Sequence, residues 1–161
     1  MANLEPSEIF WTSFEPKQTH RFHMYIDGIP AFTIRATSRP GQQSDTIELN
    51  HINVQRKVKG RTTWKDLAIT LRDPIVPSAA QAVMEWLRLH HETVTGRDGY
   101  ADFYKKDLTI MVLGPATDVV ETWKIKGAWI DDYDPGSLDW DGSGQLEIGL
   151  NLKFDYAILD F

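Results

Sequence analysis

The stretch QLEIGLNLKFDYAIL, residues 145–159, alternates throughout. Leu146, Ile148, Leu150, Leu152, Phe154, Tyr156 and Ile158 fall on one side, and Glu147, Gly149, Asn151, Lys153, Asp155 and Ala157 on the other. A period of two is the side-chain period of a β-strand, so the run predicts one long strand with a packed face and a wet face.

The rest of the chain mostly repeats this pattern. Residues 20–26 (HRFHMYI) and 30–37 (PAFTIRAT) alternate on either side of Asp27-Gly28, a pair that signals a hairpin because glycine readily takes the positive φ of such turns. Residues 38–45 (SRPGQQSD) carry turn chemistry. From 46 to 61 the composition is that of strands but turns basic at Arg56, Lys57, Lys59 and Arg61, which suggests an extended hairpin or a projecting loop. Residues 62–73 alternate again and stop at Asp73-Pro74, since a residue before proline avoids the helical region. A helix is predicted over 77–94, with Ser78 as N-cap. Its apolar stripe is Ala79, Ala82, Val83, Trp86, Leu87 and His90, and Gly96 closes it. Strands at 107–113 and 119–130 follow, then an acidic loop at 131–144 that leads back to the opening stretch. About seven strands and one helix make this a mainly antiparallel β, or α+β, domain in which the helix covers a sheet face or end. Residues 1–19, with Ile9, Phe10, Trp11 and Phe14 between Pro6 and Pro16, read as an N-terminal arm, and 20–161 as the domain.

A chain of 161 residues suits one domain and needs no staple. The absence of cysteine excludes disulfides, thiolate metal sites and cysteine nucleophiles, and fits assembly in a reducing cytoplasm. No basic, apolar leader opens the sequence and no apolar run approaches a membrane span, so no membrane role is expected. A net charge of -6 argues against a nucleic-acid-coating surface. The charge is lopsided: residues 15–72 carry ten basic side chains against five acidic, and 73–161 carry seven against sixteen. Opposite patches on identical subunits attract and fix register, which a self-assembling protein can use.

Enzyme signatures are missing: there is no G-x-S-x-G elbow, phosphate loop or H-E-x-x-H. His90 and His91 are adjacent on a helix and diverge by about 100°, and His20 and His23 point to opposite faces of a strand. The run from Asp139 to Gly144 imitates the start of a Ca²⁺ loop, but its twelfth position is Leu150 instead of glutamate, so it reads as a turn. Asp131, Asp132 and Asp134 have no histidine nearby and read as a solvated or partner-facing patch. No cofactor is expected.

Taken in order, TWKDLAITLRD (63–73), a helix containing MEWL (84–87), ETWKIKGAWI (121–130) and LDWDGSGQLEIGLNLKFDYAIL (138–159) form a set. It resembles the tail tube proteins of contractile-tailed, T4-like bacteriophages over roughly residues 20–158. The resemblance implies a β-sandwich or barrel-like tail tube fold with one flanking helix, whose strands join an inter-subunit barrel in a hexameric ring. It implies a structural virion protein and not an enzyme, with rings stacking head to tail inside a tail sheath protein. Baseplate or initiator proteins and tail terminator proteins would sit at the ends, with the tape measure protein and DNA passing through the lumen without specific binding. A tube initiator or terminator, or the tube of a tailocin or type VI secretion system, would share the fold. Long strands with one wet face agree with a barrel shared between chains, which also removes aggregating sheet edges. Two assignments follow as expectations. Arg56, Lys57, Lys59 and Arg61 of one ring meet Asp131, Asp132, Asp134, Asp139 and Asp141 of the next, while Glu147, Asn151, Lys153 and Asp155 face the lumen, where their sum of -1 would not hold phosphates.

Overall fold

The computed structural model describes residues 15–161, so most of the predicted arm, 1–14, lies outside the described residues. Among the described residues nine strands form: β1 (Phe22–Ile26), β2 (Ile34–Thr37), β3 (Gln42–His51), β4 (Val54–Trp64), β5 (Leu67–Arg72), β6 (Lys106–Leu113), β7 (Val119–Asp134), β8 (Glu147–Lys153) and β9 (Tyr156–Asp160). With them come helices α1 (Ala79–His90) and α2 (Ala101–Tyr104) and a 3-10 turn at Ala31–Thr33. All the strand pairs are antiparallel. Seven strands make one sheet in the order β1-β6-β7-β8-β5-β2, with β9 also on β7, while β3 and β4 make a separate ribbon.

Strand β7 explains how one sheet wraps a core. Its first part pairs with β6 and, from Thr122 to Lys126, with β9 as well; its last part, from Trp129, pairs with β8. The change of partner falls at Gly127, whose φ of +69° lies in the left-handed region that favours glycine. A bulge in the β6 register sits beside it, and bulges bend strands and increase their twist. The sheet thus has two halves, β1-β6-β7-β9 and β7-β8-β5-β2, sharing one spine.

Between the halves lies a continuous core. Met24, Ile26, Leu108, Ile110 and Ile125 come from the first half, and Leu67, Ile69, Leu71, Ile148, Leu150 and Leu152 from the second. Each set is the inward register of an alternating strand. Helix α1 adds Ala79, Val83 and Trp86. Its first turn is held by Ser78 Oγ, which accepts from Gln81 N at 3.3 Å, and by Asp73 Oδ1, which accepts from Ala79 N at 3.1 Å. A carboxylate there also meets the positive end of the helix dipole. The Trp86 indole N–H donates to the Tyr104 carbonyl at 2.7 Å, tying α1 to α2.

Several sequence expectations change. The 145–159 run is one path but two strands. Phe154-Asp155 interrupts it where β7 turns at Gly127, and the phase slips there: Ala157 packs on the core, whereas Tyr156 and Ile158 are exposed. Asp27-Gly28 does not join β1 and β2 in a hairpin, since β1 pairs with β6 and β2 with β5; the turn closes locally through Ile29 N to the Ile26 carbonyl at 3.2 Å. Gln42–Asp45 belong to β3 and not to a turn, because a partner, Thr62–Trp64, lies opposite. The helix ends at His90, with His91 extended, and Gly96 takes its positive φ in the following turn. Asp131–Asp134 continue β7, because β8 lies opposite them.

Candidate functional site

No group of three or more metal-ligating side chains exists among the described residues, and the distinctive features of the molecule are its surfaces. Three stand out.

The first is the outer face of the β7-β8-β5-β2 half. Across the register, Ala36, Thr70, Gly149 and Asp134 form one row and Ala68, Asn151 and Asp132 the next. The middle is small and mostly uncharged. Charges frame it: Arg35 pairs with Glu147, Arg72 lies opposite Glu147, and Lys153 Nζ is 3.7 Å from Asp131 Oδ2. Of the four residues expected at a lumen, Glu147, Asn151 and Lys153 share this face. Asp155 leaves it at the strand break and binds Lys105 Nζ at 2.9 Å, beside Gly127. Of the acidic residues expected between rings, Asp131, Asp132 and Asp134 belong to this face instead of to a loop.

The second is the β3–β4 hairpin. Apart from Gly60, every residue from Gln42 to Thr63 is exposed. Residues directly opposite each other share a face, so the pairs Ile47–Val58, Leu49–Arg56 and His51–Val54 lie on one side. Thr46–Lys59, Glu48–Lys57 and Asn50–Gln55 lie on the other. The four basic residues therefore split: Arg56 sits with the apolar side chains, Lys57 and Lys59 take the polar face, and Arg61 falls in the bulge opposite Asp45, where the alternation breaks. The alternation of TIELNHINV already carries this signal.

The third is the loop 135–146. Asp139 Oδ1 accepts from Asp141 N at 3.1 Å and its carbonyl from Gly142 N at 3.3 Å, an Asx turn built by the aspartate itself. Trp140 and Leu138 are exposed at 103% and 87%. The sequence pattern marks both residues but not their exposure.

Hairpin and loop leave opposite ends of the same half-sheet. Leu67, just after the hairpin, lies opposite Leu152, and Arg72 lies opposite Glu147, just after the loop. The length of β8 separates them, about 20 Å at a strand's rise per residue. At the hairpin base, the Trp64 and Phe154 rings sit 5.5 Å apart.

Two polar groups, one buried and one half-buried, brace these surfaces. Glu121 is 3% exposed on β7 and binds Lys17, Trp123 Nε1–H and, at 3.5 Å, Arg39. It ties the segments flanking the open edges β1 and β2 to the spine. Burial pushes its carboxyl pKa up, but the bonds from Lys17 and Trp123 and the charges of Lys17 and Arg39 outweigh this and hold it below the usual range. His90 bridges α1 to β7: its Nδ1 lies 2.9 Å from the Trp86 carbonyl, to which it donates, and Nε2 accepts from Ile130 N at 3.2 Å. Both ring nitrogens are engaged, and burial lowers its pKa. His91 instead faces Asp98 at 2.6 Å.

The fold recurs in chains of contractile injection machines. The fold is similar to a chain of the sheath-tube complex of an extracellular contractile injection system (TM-score 0.70, 18% identity, covering 98% of this chain and 99% of that one). It is equally similar to a chain of the tube-terminating cap of the anti-feeding prophage (TM-score 0.71, 19% identity, covering 98% and 99%). In sequence the chain is 24% identical over 129 residues to the tail tube protein gp19 of Enterobacteria phage T4, covering 78% of each. Residues 18–156 match the family described as T4-like virus tail tube protein gp19, and the chain belongs to that family. It is a structural tail tube protein with the mostly antiparallel fold that the alternation predicts.

Proposed function

We propose that this chain, with 20–161 as its tube domain, forms hexameric rings that stack head to tail into the inner tube of a contractile phage tail. Neighbouring copies close their half-sheets into one barrel around a channel. The role is structural and not catalytic. A sheath encloses the tube, baseplate and terminator proteins bound it, assembly takes place in the host cytoplasm, and the tape measure protein and DNA pass through the lumen.

The outer face of the β7-β8-β5-β2 half carries this reading and is its channel wall. A conduit for a polyanion must not grip it, and a wall rich in Lys and Arg would, by releasing counterions. This face offers Ala36, Ala68, Thr70, Gly149 and Asn151 at its centre. Around them are three cations, Arg35, Arg72 and Lys153, against four acids, Glu147, Asp131, Asp132 and Asp134. Small side chains leave no posts for a strand of DNA to catch on. Open edges at β1 and β2 supply the backbone groups for closure between copies.

Because the chain has no cysteine, Asn151→Cys introduces a unique thiol. In assembled tubes imaged by negative stain, a small maleimide entering from the open ends should label it, and a long polyethylene-glycol maleimide should not. Equal labelling by both would place this face outside the channel.

A further inference from the structure

The β3–β4 hairpin and the 135–146 loop each present apolar side chains without a partner among the described residues. On the hairpin Ile47, Leu49, Val54 and Val58 line one face, each about half exposed. A two-stranded ribbon with a bare apolar face is marginal in water and gains from being covered. On the loop, Leu138 and Trp140 stand outside the fold altogether, and a fully exposed tryptophan beside an ordered turn is the kind of side chain that anchors an interface.

We propose that the loop of one copy docks on the apolar face of the hairpin of a second copy, Trp140 and Leu138 covering Leu49 and Val58. Arg56, the cation on that face, meets Asp139 or Asp141. The inference rests on the tube reading and sharpens it by naming the contact between rings. Three observations select a second copy as the occupant. The two surfaces leave opposite ends of β8 and β5, so one chain cannot join them to itself, whereas copies stacked in the same orientation bring them together. Their charges are complementary: the loop 135–146 carries Asp139 and Asp141 and no cation, and the apolar face of the hairpin presents Arg56. Finally, Arg56, Asp139 and Asp141 form no ion pair among the described residues. Lys57 and Lys59 lie on the far face of the ribbon and take no part.

The test uses the full chain, with pelleting and negative stain to find the concentration at which tubes appear. Trp140→Ala and Arg56→Glu should each raise it more than about tenfold, and the Lys57→Glu, Lys59→Glu double variant less than about twofold. All these positions are exposed, and unchanged circular dichroism and melting will establish folding. Mixing adds a second readout. Trp140→Ala copies keep an intact hairpin and Leu49→Ser, Val58→Ser copies keep an intact loop, so together they should form paired rings that grow no further. Tubes of Trp140→Ala at the wild-type concentration, or a block by the lysine variant alone, would overturn this contact and leave the tube reading standing. A wild-type chain that forms neither rings nor tubes would overturn both.

Discussion

Replacing Gly127 by alanine tests the idea that β7 turns from one half-sheet to the other because of that residue. At φ +69° a Cβ costs about 1–2 kcal/mol. The added atom would also lie 2.1 Å from Asp155 Oδ2, so the carboxylate must swing away from Lys105. That exposed pair contributes about 0–1 kcal/mol. Gly127→Ala should therefore cost about 1–3 kcal/mol, which for a domain of this size lowers Tm by roughly 3–10 °C. Asp155→Ala alone should cost no more than the pair is worth. In the double variant the collision disappears, leaving mainly the backbone cost, so the two changes should sum to less than their separate effects. Thermal unfolding of the unassembled chain at low concentration measures all three. A Gly127→Ala variant within about 0.5 kcal/mol of wild type, or a strictly additive double variant, would refute the argument.

Glu121→Gln should destabilise by about 1–3 kcal/mol near neutrality. The carboxyl's depressed pKa makes its contribution complete above the usual glutamate range and lost as pH falls through the folded value, so the difference in Tm between wild type and variant should shrink toward pH 3. His90 behaves likewise at higher pH. With its folded pKa lowered, its stabilisation is full above the ordinary histidine value and is lost on acidification through the folded value. Between pH 7.5 and 5.5, wild type should lose more Tm than His90→Phe, which itself costs about 1–3 kcal/mol by leaving Ile130 N–H unpaired. Trp86→Ala should cost about 3–5 kcal/mol in urea unfolding, since its side chain is fully buried between α1 and the sheet. Replacing residues 44–62 by a short turn removes no buried side chain, so it should leave Tm within a few degrees while abolishing tubes on negative-stain grids.

Alternation revealed most of the strands because half of each is buried: Leu67, Ile69 and Leu71 lie opposite Leu152, Leu150 and Ile148, as their phases require. It could not reveal pairing. The Asp27-Gly28 turn looks like a hairpin locally, but β1 gains more by burying Met24 and Ile26 against β6, a partner about 85 residues away, and such long-range choices leave no mark at the turn. Nor could it show the phase slip at Phe154-Asp155, which is set by Gly127 on a different strand. On the candidate surfaces, composition identified the basic and acidic segments, but the face on which each charge sits depends on register. Arg56 and Lys57 are neighbours in sequence and lie on opposite sides of the ribbon. Asp131 and Asp139 read as one acidic loop until β8 claims the first for the sheet.

Because hairpin and loop leave opposite ends of β8, any stack of identically oriented copies has two chemically different ends. One shows basic ribbons and the other acidic loops with an exposed indole. Subunits then add at the two ends at different speeds, although with the same equilibrium constant, so one end can grow faster without any energy source to drive it. A protein that starts such a stack need imitate only one end, and one that stops it only the other, which makes starting and stopping separately controllable steps.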